Sequence, residues 1–129
     1  MKEILFVHDQ LENPWVRQSC LESAGYRVRA FARGDECLHA LGERLPELVL
    51  IDVLIEGQNG FELCAAIRAN HRAEELPVIL CSEVYRDELF QAEARRVGAQ
   101  RYLLKPCSAE ALLTAVASVL PGQGGGLAA

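Results

Sequence analysis

The chain has 129 residues, 50% of them hydrophobic and 24% charged, which fits one globular domain and excludes a disordered chain. Its 13 basic and 18 acidic side chains give a net charge of −5, which argues against a general nucleic-acid or membrane-surface binder, because both reward positive charge. The five cysteines (Cys20, Cys37, Cys64, Cys81 and Cys107) include no C-x-x-C pair, so neither a disulfide framework nor a zinc site is expected.

The first element is the apolar run Ile4 to Val7, which stops at His8 and Asp9. Only those four apolar residues follow Met1-Lys2-Glu3, too few for a signal peptide or a spanning helix, so a cytoplasmic chain with reduced cysteines is expected. Asn13-Pro14 reads as a helix start, with Val16, Cys20 and Ala24 at helical spacing and Gly25 as the stop. Tyr26 to Ala30 alternates like a half-exposed edge strand. A second helix carries Cys37, Leu38, Leu41 and Leu45 and closes before Pro46. Leu48 to Ile51 is a second apolar run, ending at Asp52. The third helix carries Phe61, Leu63, Cys64, Ala65 and Ile67. Val78 to Cys81 ends at Ser82, and Phe90, Ala94 and Val97 mark a fourth helix stopped by Gly98. Tyr102 to Leu104 ends at Lys105. Ser108 caps a fifth helix with an apolar face of Leu112, Leu113, Val116, Val119 and Leu120, stopped by Pro121.

Continuous apolar strands alternating with helices predict an α/β fold, a doubly wound five-stranded parallel sheet covered on both faces by five helices. The domain is expected to span 1–120, with 121–129 a Gly-rich flexible tail or the start of a linker.

In such a sheet the strand ends share one edge, where ligands bind. That edge would gather Asp9, Asp52, Ser82 and Lys105. Two carboxylates repel unless a cation joins them, and oxygen donors of this kind suit Mg²⁺. Lys105 adds a point charge and Ser82 a short donor, a set that fits an incoming phosphoryl group with a carboxylate as nucleophile. Taken singly, each residue also has a plainer reading: Asp52 and Asp9 as turn or capping residues, Ser82 as a helix cap, Lys105 as a surface cation and Tyr102 as strand packing.

Four pieces, in order and spacing, resemble the receiver domain of bacterial two-component response regulators, the CheY-like family. They are Ile4 to Asp9; Leu48 to Val53 with Gly60-Phe61-Glu62-Leu63 beginning eight residues after Asp52; Pro77 to Ser82; and Gly98-Ala99 with Tyr102-Leu103-Leu104-Lys105-Pro106. The resemblance covers roughly Lys2 to Leu120. It implies a flavodoxin-like sheet of order 2-1-3-4-5 and a phosphorelay signalling switch. It places the phosphoacceptor at Asp52, charged by a sensor histidine kinase or phosphotransfer protein. It places Mg²⁺ on Asp9, Asp52 and the Leu54 backbone carbonyl, and phosphoryl contacts on Ser82 and Lys105, with the peptide before Pro106 often cis. Tyr102 is the aromatic that turns inward with Ser82. The face of the fourth helix, fifth strand and fifth helix is implied to meet a downstream target or output domain, or to pair as a homodimer.

The chain departs from that pattern at three places. His8 stands where the family usually has a further acidic residue, Glu56 stands for a usual Pro, and Glu83 for a usual small residue. A protonated His8 would repel Mg²⁺, so weakened and pH-sensitive Mg²⁺ binding is expected. These residues leave open a pseudo-receiver that acts as a phosphorylation-independent interaction module. An enzyme on a similar sheet is disfavoured: Leu54 stands where a dehalogenase-type phosphatase needs a second Asp, and His8 to Glu12 is not a flavodoxin phosphate loop. No direct contact with nucleic acid or membrane is expected.

Overall fold

A computed structural model describes residues 2–9 and 13–120. The elements alternate along the chain as β1 (Glu3–Val7), α1 (Trp15–Ser23), β2 (Arg27–Phe31), α2 (Gly34–Glu43), β3 (Leu48–Asp52), α3 (Gly60–Arg68), β4 (Val78–Ser82), α4 (Glu88–Arg96), β5 (Arg101–Leu104) and α5 (Ala109–Val119). The strands form one parallel sheet of order β2-β1-β3-β4-β5. Fold class and strand order are those expected from the sequence; Pro121 and the tail to 129 lie outside the described residues.

Side-chain alternation divides the core into two layers. Leu5, Val7, Val49, Ile51, Val78 and Leu80 pack with residues of α2, α3 and α4. Ile4, Phe6, Leu48, Leu50, Ile79 and Cys81 pack with Leu21 of α1 and Leu112 and Val116 of α5. β1, β3 and β4 are buried along their whole length, which is why they read as unbroken apolar runs.

Three helix faces differ from the sequence reading. In α1 the buried residue is Leu21, while Val16 is 71% exposed and Ala24 is exposed. The inward line therefore runs through Arg17 and Leu21, one residue round from the expected stripe. In α2 the buried residues are Cys37, Ala40 and Leu41, and the helix ends at Glu43; Leu38 and Leu45 are exposed. In α3 Ala65 is exposed, and the first turn is closed by a capping box in which Asn59 accepts from the Glu62 N–H at 2.9 Å and Glu62 accepts from the Asn59 N–H at 3.0 Å.

All five cysteines are free; Cys37, Cys64 and Cys81 are buried, and Cys20 and Cys107 are partly exposed. Burial pushes the Cys37 and Cys81 thiols up to about 12, and Cys64 to about 11, from an ordinary 9.0. Because the folded-state values are raised, the stability these neutral thiols contribute is complete below pH 9.0 and is lost as the pH rises toward 12. Alkylation of the native chain at mildly alkaline pH is expected to modify Cys20 and Cys107 only, and all five after unfolding, as read by intact mass. Rapid native modification of Cys37, Cys64 or Cys81 would contradict this packing.

Candidate functional site

The register sets the C-terminal edge of the sheet. Val7 pairs with Ile51, Asp52 with Cys81 and Ser82 with Leu104. The ladder continues past the strands, where the Lys105 N–H donates to the Ser82 carbonyl and the Val53 N–H to the Cys81 carbonyl, both at 2.9 Å. His8, Asp9, Asp52, Ser82 and Lys105 therefore leave the sheet at neighbouring points. The Lys105–Pro106 peptide is cis.

Asp52 is at the centre of this edge and is 1% exposed. Its Oδ2 accepts from the Asp9 backbone N–H at 2.8 Å, and Lys105 Nζ lies 3.3 Å from its Oδ1. Strand alternation turns Asp52 to the layer shared with Leu48 and Leu50, the side covered by α1 and α5. From α1, Arg17 reaches it with a two-pronged guanidinium: Nη1 donates to Oδ1 and Nη2 to Oδ2, each at 2.7 Å. The guanidinium carbon sits 4.6 Å from the centre of the Phe6 ring, a cation–π contact. With Arg17 11% exposed and Asp52 nearly sealed, this is a buried, hydrogen-bonded ion pair.

The expected residues thus come together, and Arg17 joins them without having been expected from the sequence. Leu21, one helical turn on and fully buried, places Arg17 on the inward face, which the competing stripe of Val16, Cys20 and Ala24 hid in the sequence. The space beside Asp52 is also smaller than a phosphoryl site requires. The cavity lined by Asp9, Asp52, Leu54, Ser82, Glu83 and Lys105 is about 10 Å³, roughly the room for one water. A cleft of about 690 Å³ opens outside it, and its lining includes Arg17 and Lys105 but not Asp52.

His8 tilts against Phe6, with ring centroids 5.7 Å apart, and its Nδ1 lies 3.3 Å from the Asp9 carbonyl oxygen. Glu56 pairs with Arg33 at 3.5 Å, and Glu83 is exposed at the rim of the cleft. Ser82 Oγ accepts from the Val84 N–H at 3.2 Å and the Tyr85 N–H at 3.1 Å. Tyr102 already packs inward: its ring stacks on Phe61 at 6.1 Å, and its hydroxyl donates to the Tyr85 carbonyl. Burial pushes the Tyr102 phenol up, and the Ser82 hydroxyl beside it pulls it partly back.

This arrangement has relatives. A family profile, the response regulator receiver domain, matches residues 4–117. The chain belongs to that family. The phosphate regulon transcriptional regulatory protein PhoB of Rhizobium meliloti is 35% identical over 100 residues, covering 78% of this chain and 44% of PhoB. The protein PilH of Pseudomonas aeruginosa is 29% identical over 122 residues, covering 95% of this chain and all of PilH. Among solved structures, the chemotaxis response regulator CheY4 of Vibrio cholerae superposes with a TM-score of 0.84 at 28% identity, over 93% of this chain and 99% of CheY4. The receiver spans about half the length of the first curated relatives it matches.

Receiver domains typically hold Mg²⁺ at this acidic edge. The donors here are of the right class, with carboxylates on Asp9 and Asp52 and a carbonyl on Leu54. As arranged they do not seat the ion, because Arg17 takes both oxygens of Asp52. Among the described residues no cluster of three or more His, Cys, Asp or Glu is gathered for a metal, and no helix is long and apolar enough to cross a membrane.

Gly60 holds the loop that carries Asp52 into α3. A Cβ there would lie 2.7 Å from the Asp52 carbonyl oxygen and 2.8 Å from Val53 Cα. Both neighbours are backbone, so Gly60→Ala must shift the end of β3. The substitution is expected to lower stability by about 1–3 kcal/mol, measured by urea unfolding. An unchanged midpoint would show that this close approach does not constrain the site.

Proposed function

We propose that the receiver is a phosphorylation-dependent signalling switch with Asp52 as phosphoacceptor. The convergence of Asp9, Asp52, Ser82 and Lys105 on one edge of the sheet carries this reading, with Lys105 Nζ 3.3 Å from Asp52 Oδ1. Transfer from a phosphohistidine of a sensor kinase or phosphotransfer protein forms a bond from an Asp52 carboxylate oxygen to phosphorus. The phosphorus–nitrogen bond breaks, and its electron pair returns to the imidazole, which takes up a proton. Lys105 offsets the charge on the transferred oxygens, and Ser82 can turn its hydroxyl to donate to one of them.

Ser82 cannot turn without consequence. Its Oγ anchors the Val84 and Tyr85 N–H groups, and the Tyr85 carbonyl holds Tyr102. Drawing Ser82 to the phosphoryl group therefore loosens the loop between β4 and α4 and shifts Tyr102 against Phe61. That change biases the α4–β5–α5 face toward a downstream target, an output domain or a second copy. The reading places the chain in the bacterial cytoplasm, with residues 121–129 as a tail or linker. It has no turnover of an external phosphoester.

A second reading, the pseudo-receiver, is favoured by one observation: Asp52 is already fully paired by Arg17 and Lys105. Incubation with acetyl phosphate and Mg²⁺ separates the two. The expected result is an intact-mass gain of one phosphoryl group, absent in Asp52→Ala and slowed by about a hundredfold in Lys105→Ala. A wild-type chain that gains no mass after prolonged incubation would favour the pseudo-receiver.

A further inference from the structure

We propose that Arg17 is an in-chain counter-ion that takes the divalent cation's place on Asp52, so that Arg17 and the cation hold this carboxylate in mutually exclusive states. This deepens the reading of Asp52 as a cation-binding carboxylate and does not require that Asp52 accept a phosphoryl group.

Three observations combine. The guanidinium engages both carboxylate oxygens at 2.7 Å, and the Asp9 N–H and Lys105 take up further positions on Oδ2 and Oδ1. The cavity beside Asp52 is about 10 Å³, while the 690 Å³ cleft is bounded by Arg17. The two spaces adjoin at Asp9, Leu54, Glu83 and Lys105, and Arg17 lines the outer one. Arg17 is also held as a built feature: its guanidinium lies over Phe6, and Leu21 one turn on is fully buried.

The charges agree. Arg17 and Lys105 both pair with Asp52, so this carboxylate is compensated without a metal. A divalent cation entering that edge would face two resident cations, and one must leave. Both side chains are buried and both line the cleft, but only Arg17 holds both oxygens of Asp52. Apparent metal affinity is the intrinsic affinity multiplied by the fraction of chains in which Arg17 has withdrawn. A fork-like charged hydrogen-bond pair sets that fraction at about one part in ten to one part in a hundred.

The test is Mg²⁺ titration of the full chain by calorimetry without a phosphodonor, in wild type and Arg17→Ala, with folding checked by circular dichroism. Arg17→Ala is expected to bind Mg²⁺ about ten- to a hundredfold more tightly than wild type. Arg17→Lys keeps the charge without the fork, and is expected to fall between them. Nitrogen-15 NMR reads the event in the unmutated chain: the Arg17 Nε–H signal is expected to shift to that of a solvated guanidinium as Mg²⁺ saturates. Equal affinity in wild type and Arg17→Ala, Mg²⁺ binding with the Arg17 signal unmoved, or no Mg²⁺ binding in either chain would each overturn the proposal. The NMR arm stands even if Arg17→Ala unfolds. Tight Mg²⁺ binding by Arg17→Ala without phosphoryl gain would uphold this inference while sinking the switch.

Discussion

A carboxylate at the end of a fully buried central strand has to be neutralised where it stands. Asp52 leaves a strand whose other residues are all apolar, and it retains 1% of its accessible surface. Left uncompensated, such a charge would cost several kcal/mol. The fold meets this with a donor from each side: the Asp9 N–H from β1, Lys105 from the end of β5 and the Arg17 fork from α1. Asp9 and Arg17 come from the β1–α1 segment, and Lys105 from the β5–α5 connection at the other end of the chain. The ion cluster is therefore a tertiary feature, and it ties α1, the β1 loop and the β5–α5 connection to one oxygen pair.

That dependence explains which parts of the molecule were legible beforehand. Strand cores are runs of residues with no polar choice, so Leu48 to Ile51 or Val78 to Cys81 declare both their conformation and their two-sided burial. Parallel connectivity then places the strand ends together without knowledge of any side-chain contact, which is why Asp9, Asp52, Ser82 and Lys105 could be grouped from spacing. Helix faces are harder, because short stripes can be rotated by one residue and still look amphipathic. In α1 the line through Val16, Cys20 and Ala24 competes with the line through Arg17 and Leu21, and a hydrophobicity count prefers the first. What decides is that Asp52 projects toward α1, and the pair Arg17–Asp52 outweighs the exposure of Val16. A contact of 35 residues' separation leaves no trace in local pattern.

The second coupled element is aromatic. Tyr102 stacks on Phe61, Phe61 stacks on Phe90, and Phe90 meets Tyr85, with ring centroids 6.1, 6.4 and 4.5 Å apart. This chain of rings runs from β5 through α3 to α4 and returns to the loop that Ser82 anchors. Packed rings do not deform continuously; they exchange one arrangement for another. A rotation of one hydroxyl at Ser82 therefore has a discrete element to act on, and the polar edge and the apolar layer behind it are mechanically joined at Tyr85.

The two networks lie on opposite faces of the sheet, at the ends of the neighbouring strands β3 and β4. With Arg17 closed, the positive charge of Arg17 and Lys105 is spent on Asp52, and little of it is left for a dianionic phosphoryl group. In the proposed exchange a divalent cation in place of Arg17 would add one unit of positive charge to the edge, which would favour that group beside Lys105. Substituting one cation for another thus changes the electrostatic character of the site without altering the sheet. On that proposal, access to Asp52 and attraction toward it rise together, because both depend on the one side chain on α1 that pairs with it.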